Sequence, residues 1–371
     1  MSVKKKPIRT TESKTMTKIK LRPSAASRWI NCPASIKLCA GIPDSPSGDA
    51  AQIGTAIHAV AETCILTGVS PYDFIGKTVE GITITEQNAD FAQAHVNHVR
   101  DIELRLGTLK VEQYVTIYES DSINLGGTAD VLAFSEEQDT LVIADLKTGR
   151  GYVDANSDQM KLYAIGAMRQ LKAEFKNIEL AIIQPHHGGP RTHKMTFKEL
   201  NDWTLENLTP ALKEIAQGAT EPTPSEKACQ WCPAKATCPA HVEVFNEVVA
   251  QPPMHTMTED EIAAMLAKVD MVEDYIKALR KYATDRLEGG SVIRGWQLQP
   301  KRALRKWAND KKAAAALIDA GIAKELIYIT SIISPAEASK LLSKDDRFLL
   351  DDITEKKSSG LTLARAVGLG E

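Results

Sequence analysis

Two carboxylates and an ammonium group fall on neighbouring predicted strands near the middle of the chain. The segment 124–134 is rich in small and β-compatible residues, and 141–146 is apolar except for one aspartate. The polar segment 135–140 between them predicts a hairpin. Residues that face each other across antiparallel strands lie about 5 Å apart. We therefore expect Asp130 and Asp145 to lie side by side.

Lys147 follows Asp145 by two residues and shares a face of its strand. Two carboxylates beside an ammonium group suit a hard divalent cation that faces an anionic substrate. An aspartate in a hairpin is more often a solvated turn residue, and Asp-X-Lys occurs by chance in many proteins. These three residues alone leave both interpretations open.

Two further pairs of residues are spaced to share a helix face. Segment 156–158 is a run of favourable N-caps before a predicted helix, on which Gln159 and Tyr163 lie four residues apart. His58 and Glu62 have the same spacing on a predicted helix upstream. By itself the second pair indicates a surface ion pair, so it needs support from the rest of the chain.

Taken in order, these motifs resemble the PD-(D/E)XK nuclease superfamily, specifically its RecB-like branch. That branch carries Gly-X-X-Asp, Asp/Glu-X-Lys and Gln-X-X-X-Tyr, which match Gly127–Asp130, Asp145–Lys147 and Gln159–Tyr163. Its upstream helix carries Gly-X-X-X-His-X-X-X-Glu, which matches Gly54–Glu62. The resemblance implies an α/β nuclease core over residues 22–245, with a mixed central sheet flanked by helices.

The resemblance also implies a role for each matching residue. The ligands of Mg²⁺ or Mn²⁺ would be His58, Asp130, Asp145 and the carbonyl of Leu146. Lys147 would orient water or stabilise charge on the phosphate, and Glu62 would be a supporting acid. Gln159 and Tyr163 would position the DNA strand. The implied reaction is hydrolysis of DNA phosphodiester bonds, by an exonuclease that processes ends in phage recombination or replication.

Three of the six cysteines have the spacing C-x₂-C-x₅-C, at Cys229, Cys232 and Cys238. In an intracellular chain this spacing indicates a metal rather than disulfides. A fourth ligand is required, and Cys32, which precedes Pro33, is the main candidate. Its competitors are Cys39 and Cys64. Zinc and a [4Fe–4S] cluster both accept four cysteines, so the spacing alone does not separate them.

A subset of RecB-like nucleases places one cysteine before the core and three after it, namely the CRISPR-associated iron–sulfur exonucleases and the AddB subunit of helicase–nucleases. By this resemblance the ligands of a [4Fe–4S] cluster are Cys32, Cys229, Cys232 and Cys238, with Zn²⁺ as the alternative. Such a cluster closes a loop of about 200 residues. We expect it to act as an iron–sulfur staple, a structural link between the two ends of the core.

Composition limits the remaining choices. A hydrophobic content of 43% supports a sizeable core, and a net charge of −3 means that nucleic acid would bind through local patches. No apolar run is long enough for a membrane span, and the basic N terminus lacks the apolar segment of a signal peptide. We expect a cytoplasmic protein of a bacterial or phage-infected cell. Linear DNA would be its ligand, and a phage single-strand-binding or annealing protein a further partner.

The two ends of the chain have their own patterns. Residues 1–21 predict a basic, disordered arm, more a solubilising tail than a phosphate-binding one. Residues 246–371 predict a mostly helical extension, in which the segment Lys301–Trp307 suits either single-stranded nucleic acid or an ordinary solvated face. With its Gly295-Trp296 pair, this region resembles a phage-encoded family on the same nuclease core, domain of unknown function 2800. Other predicted elements are the helices 86–106, 198–217, 259–288, 309–320 and 335–342 and the strands 109–118, 178–184, 191–197 and 291–299.

Two other classes of protein remain as alternatives. One is a DNA-end-binding module with idle catalytic residues, which would keep DNA affinity without cleavage. The other is a zinc-stabilised assembly protein, which would contain zinc and lack iron–sulfur absorbance. Every aligned motif position carries a chemically competent residue, which favours the active nuclease.

Overall fold

A computed structural model describes residues 18–42, 48–251 and 254–298. The predicted helices and basic segment beyond residue 300 lie outside these ranges, as do residues 1–17 of the predicted arm. In the described part, no helix has the length and apolar character that crossing a membrane requires. The architecture there is mixed α/β, with one six-stranded sheet flanked by helices.

The described strands form one large sheet and one small hairpin. Their bounds are β1 Ile19–Leu21, β2 Thr78–Val79, β3 Ile82–Thr83, β4 Thr108–Glu119, β5 Ile123–Ser135, β6 Thr140–Leu146, β7 Asn177–Ile183 and β8 Arg191–Thr196. The path β1-β5-β6-β7-β8 runs through the large sheet, β4 pairs with β5, and β2 pairs with β3. β1–β5 and β6–β7 are parallel pairs and the others are antiparallel. The sheet is therefore mixed, as the sequence predicted.

Helices cover both faces of this sheet. Their bounds are α1 Ala26–Asn31, α2 Ser35–Leu38, α3 Asp49–Thr67, α4 Glu86–Leu106, α5 Asp158–Leu171, α6 Phe197–Trp203, α7 Thr209–Ala216, α8 Glu226–Cys229, α9 Pro239–Val249 and α10 Glu259–Glu288. One core joins α1, α5 and α7 to the sheet, and a second joins α3 and α4 to it. β6 and β7 are buried between these layers, which explains their nearly continuous apolar sequences.

Strand β5 is the longest in the sheet, and its two edges differ. β4 follows one edge over almost the whole strand. On the other edge β1 pairs with Ile123–Leu125, and β6 pairs with Val131–Ser135. Among the described residues, no strand covers that edge at Gly126–Asp130. The sheet is thus open at the segment that carries the predicted Gly-X-X-Asp motif.

Most predicted elements agree with the structure, and three differ. Ile19–Leu21 form a strand inside the segment predicted to be disordered, because pairing with β5 supplies order that a three-residue pattern does not signal. The predicted helix 198–217 is interrupted by a π-helical turn at Thr204–Leu208. The predicted strand 291–299 is wrong over its described part, which holds one isolated bridge between Ile293 and Trp296 around the left-handed Gly295.

Helix α5 packs against β4 with a glycine at the contact. A Cβ atom at Gly166 would lie 2.7 Å from Cγ2 of Val115 and 2.9 Å from Cγ1 of Ile117. Contacts this short would force the two side chains on β4 or helix α5 itself to move. The glycine therefore sets how closely α5 approaches the sheet, and α5 carries Gln159 and Tyr163.

We predict that Gly166→Ala lowers the free energy of unfolding by about 1 kcal/mol or more, although alanine is the better helix former. Overpacking costs about 1–3 kcal/mol, whereas the gain in helix propensity is about 1 kcal/mol. Urea unfolding followed by circular dichroism measures the change. Gly189→Ala, where a Cβ meets open space, is the control and should fall within about 0.5 kcal/mol of wild type. A stabilised Gly166→Ala would contradict this packing.

Candidate active site

The register of β5 and β6 brings the two predicted aspartates together. Val131 pairs with Ala144, so Asp130 and Asp145 are the next residues to face each other. The Leu146 amide donates a 2.8 Å hydrogen bond to Oδ2 of Asp130. The Asp130 carboxylate thus accepts the hydrogen bond that a backbone carbonyl of β5 would accept if the two strands remained paired.

A third carboxylate, Glu112, lies at the same level of the sheet. The residues on either side of Glu112 pair with those on either side of Asp130, which places Glu112 opposite Asp130 on β4. Glu112 has a φ of 48°, a left-handed conformation that a non-glycine residue rarely adopts. Sequence reasoning located Glu112 in a strand but gave it no role. An alternating strand pattern does not mark a residue whose backbone departs from the strand conformation.

His58 approaches these acids from α3. A Cβ at Gly54 would lie 2.7 Å from Oγ1 of Thr148, so a glycine there lets α3 pass close to the end of β6. One turn later, Nδ1 of His58 lies 3.4 Å from Oδ2 of Asp130. This explains physically why glycine precedes histidine by four residues in the predicted motif.

His58, Glu112 and Asp130 form a group of possible metal ligands. Each offers one donor atom, and the three atoms lie within 4.8 Å of one another. Within the described ranges, no other set of three or more His, Cys, Asp or Glu side chains is this compact. One imidazole nitrogen and two carboxylates are donors that Mg²⁺ and Mn²⁺ accept.

Asp145 lies beside this group and is bound to the predicted lysine. Nζ of Lys147 is 2.6 Å from Oδ2 of Asp145. Nε2 of Gln159 lies 3.4 Å from Oδ1 of Asp145 and 3.5 Å from the Tyr163 hydroxyl. Helix α5 thus reaches the strand end through the two residues of the predicted Gln-X-X-X-Tyr motif.

The electrostatics of the site are dominated by crowded negative charge. Burial, and next the Asp145 carboxylate, raise the pKa of Asp130 well above its usual range. Burial and the charges of Glu62 and Asp145 raise the pKa of Glu112 to about 6. For Lys147, burial acts to lower the pKa, but Asp145 outweighs it and the net pKa is raised. One ammonium group faces several carboxylates, so a bound cation would relieve repulsion that the protein alone does not.

The loop from Lys147 to α5 is held by a buried glutamine that sequence reasoning did not single out. The Gln184 side chain is fully buried, and its Nε2 donates to the carbonyls of Gly149 at 2.8 Å and Gly151 at 2.6 Å. Its Oε1 accepts hydrogen bonds from the Val153 amide at 3.2 Å and from Arg191 at 2.7 Å. Gln184 therefore fixes the path of the chain on which Lys147 and α5 depend. A polar residue after an apolar strand carries no signal of this role.

The four predicted cysteine ligands line one cavity of about 20 Å³. Cys32 ends α1, Cys229 ends α8 and Cys238 precedes α9. The Thr223 amide lies 3.4 Å from Sγ of Cys32, and the Thr223 hydroxyl donates to the Asn31 carbonyl at 2.7 Å. The segments before and after the sheet therefore meet at the cysteines, as the resemblance implied.

The competing cysteines differ in their distance from this cavity. Cys64 is buried in the core between α3 and α4. Sγ of Cys39 lies 3.9 Å from Sγ of Cys232 and accepts a 3.2 Å hydrogen bond from Arg28, but Cys39 is outside the residues that line the cavity.

His241 is a fifth potential donor at the cavity, and sequence reasoning did not single it out. It is 1% exposed and its Nε2 has no hydrogen-bond partner among the described residues. Its Nδ1 lies 3.4 Å from the Lys235 carbonyl, which can only accept a proton. Nδ1 therefore carries the hydrogen, and in the neutral ring Nε2 presents a lone pair. The spacing Cys-x₂-His at the end of the cysteine motif was the available signal.

Comparison with known protein families assigns the chain to one of them. The model of the family described as "Protein of unknown function (DUF2800)" matches residues 19–367. The chain belongs to this family. The match confirms the family predicted from the C-terminal region, and it spans both the sheet and the region after it.

Two solved structures are similar to parts of this DUF2800 protein. SSO0001 is 10% identical, with 62% of this chain and 89% of that chain covered and a TM-score of 0.31. The "Putative exonuclease" from Eubacterium rectale is 10% identical, with 70% of this chain and 99% of that chain covered and a TM-score of 0.35. Both TM-scores are too low to carry the fold or activity of either protein over to this chain.

We predict that Glu112→Gln stabilises the metal-free DUF2800 protein at about pH 7.5 but not at about pH 4. A carboxyl whose pKa is raised on folding stabilises the fold below its unfolded pKa, and this stability is lost as the pH rises through the folded pKa of about 6. Glutamine never ionises. The gain is about 1 kcal/mol after allowance for solvent screening, or about 1–2 °C in Tm for a chain of this length.

Thermal unfolding at both pH values, with chelator and then with Mn²⁺, measures this effect. Glu136→Gln, in the exposed turn between β5 and β6, is the matched control and should show no pH-dependent difference. Mn²⁺ should stabilise the wild type more than Glu112→Gln. If Glu112→Gln is no more stable than wild type at about pH 7.5 without metal, the ionised Glu112 carboxylate does not destabilise the fold and the prediction is wrong.

Proposed function

We propose that the protein is a metal-dependent deoxyribonuclease that hydrolyses phosphodiester bonds. The observation that carries the proposal is the compact group of His58, Glu112 and Asp130 beside the Asp145–Lys147 ion pair. Nitrogen and carboxylate donors for a hard cation, next to a single ammonium group, suit chemistry on a phosphate. The ordered motifs of the sequence support the same class of enzyme.

His58, Glu112 and Asp130 would hold Mg²⁺ or Mn²⁺. Asp145 and the Leu146 carbonyl, the other two ligands that the resemblance implies, would complete the site. Such a cation polarises a phosphate and lowers the pKa of bound water. Asp145 holds the Lys147 ammonium at 2.6 Å, which keeps it charged and aimed at the strand end. Lys147 would then stabilise charge that develops on the phosphate.

We further propose a preference for DNA ends. It is supported by the resemblance to iron–sulfur nucleases, most of which process ends. Gln159 and Tyr163, which join α5 to Asp145, would position the strand. A setting in phage recombination or replication, in the cytoplasm and with a single-strand-binding or annealing protein as partner, is proposed on the same basis.

We predict that the protein degrades end-labelled linear DNA with Mg²⁺ or Mn²⁺ and that Asp130→Asn lowers the rate about 10²-fold or more, since it removes one charged group from the reacting centre. Labels at the 5′ or 3′ end give the polarity. Asp202→Asn, which removes a surface carboxylate paired with Lys198, should keep full activity. DNA affinity without cleavage by the wild type on single- and double-stranded substrates would instead identify an end-binding module.

We also propose that Cys32, Cys229, Cys232 and Cys238 hold a [4Fe–4S] cluster, with Zn²⁺ as the alternative. A tetrahedral zinc site needs sulfurs about 3.8 Å apart, whereas no three cysteine sulfurs of the described residues lie within 4.8 Å of one another. The wider spacing suits a cluster whose irons occupy separate corners.

We predict about four iron atoms per chain and visible iron–sulfur absorbance after anaerobic purification. Cys238→Ala should lose the iron and lower the Tm, because the link between the two ends of the core is removed. Cys64→Ala, which removes a thiol from the other core, should retain the iron. One zinc per chain without iron would contradict the cluster and establish the alternative. A metal-free protein with unchanged Tm would contradict both.

A further inference from the structure

A cleft of about 350 Å³ opens where β1 leaves the edge of β5. β1 ends at Leu21, and Pro23 has no amide hydrogen to continue the ladder. The chain therefore turns away beside the unpaired segment that begins at Gly126. The cleft is lined by residues that determine its chemistry, among them Lys20, Arg22, Tyr114, Gly126, Gly127 and Tyr163.

Two glycines keep the floor of this cleft free of side chains. A Cβ at Gly126 would lie 2.6 Å from the Tyr114 hydroxyl and 2.8 Å from the carbonyl of Val115. A Cβ at Gly127 would lie 3.0 Å from Cδ of Pro23. The ring of Tyr114 thus lies across bare backbone, and Tyr114 remains 56% exposed. An exposed aromatic ring over a glycine floor offers a flat surface to a ligand.

The cleft carries positive charge in a chain whose net charge is −3. Lys20 and Arg22 are both exposed, and neither has a carboxylate within 4.0 Å among the described residues. None of the residues that line the cleft is acidic. The local field therefore favours an anion.

The cleft lies next to the candidate active site. Tyr163 lines it, and the Tyr163 hydroxyl lies 3.5 Å from Gln159, which lies 3.4 Å from Asp145. Thr128 also lines it and precedes Asp130 by two residues, or about 7 Å along the strand. An extended anion in the cleft would therefore reach the carboxylates at its end.

We propose that this cleft binds single-stranded DNA next to the scissile phosphate, with Lys20 and Arg22 on phosphates and Tyr114 stacked on a base. The inference rests on the proposed nuclease function. The volume is that of a small-ligand pocket, which suits unpaired nucleotides whose bases are free to stack. Phosphate neutralisation combined with aromatic stacking is how proteins hold single strands.

Fluorescence anisotropy with a labelled oligothymidylate, without added divalent cation so that no cleavage occurs, tests the proposal on the full chain. Lys20→Ala/Arg22→Ala should weaken binding at least tenfold. It should also reduce the slope of log Kd against log salt concentration by about 0.7 for each lost phosphate contact. Tyr114→Ala should weaken binding about tenfold with the slope unchanged, and Tyr114→Phe should bind like wild type. Lys176→Ala, an exposed lysine at the opposite end of the sheet, is the matched control.

Unchanged Kd and salt slope in Lys20→Ala/Arg22→Ala would overturn the proposal, and so would a blunt duplex that competes as well as the single strand. These results are separate from the test of the nuclease. Cleavage by the wild type, with binding unaffected in the double variant, would keep the nuclease and reject the cleft. Weakened binding with a reduced slope, in a protein that never cleaves, would keep the cleft and reject the nuclease.

Discussion

The constraint on which the site depends is the placement of three carboxylates at one level of a buried sheet. Glu112, Asp130 and Asp145 sit on three neighbouring strands, and the strand register places them at the same level of the sheet. Burial and mutual repulsion raise the pKa of Asp130 and of Glu112. Lys147 compensates one of these charges. The remaining repulsion between the carboxylates destabilises the folded protein, and a bound cation would remove it. Such an arrangement is typical of a binding site rather than of a stable core.

These carboxylates are accessible because one edge of β5 is incompletely paired. β1 and β6 cover the two ends of one edge, and Gly126–Asp130 between them faces no strand among the described residues. The exposed backbone is compensated in part by side chains, since Asp130 accepts the Leu146 amide. The same gap provides the glycine floor of the cleft. The accessible Asp130 carboxylate and the proposed strand-binding cleft are therefore consequences of one interruption in the ladder.

The parts of the site that depend on local spacing could be predicted from the sequence. A hairpin makes Asp130 and Asp145 neighbours, and a helix turn aligns Gln159 with Tyr163. Glu112 could not be found this way, because its position follows from the register of β4 on β5 and from a left-handed backbone. Strand β1 is too short to show a period, and its order comes from parallel pairing. Gln184 acquires its role from burial by distant segments, which leaves no trace in local spacing.

The short segment from β1 to Cys32 links the two regions of interest. Its first residues form one wall of the cleft, and Nε1 of the fully buried Trp29 donates a 3.0 Å hydrogen bond to the Arg22 carbonyl, which fixes the turn after β1. Helix α1 carries this tryptophan and ends at Cys32, which faces the cysteines that follow the sheet. A metal held by those cysteines would immobilise one end of a segment whose other end shapes the cleft. The proposed metal site at the cysteines and the proposed strand-binding cleft are therefore connected through the short helix α1.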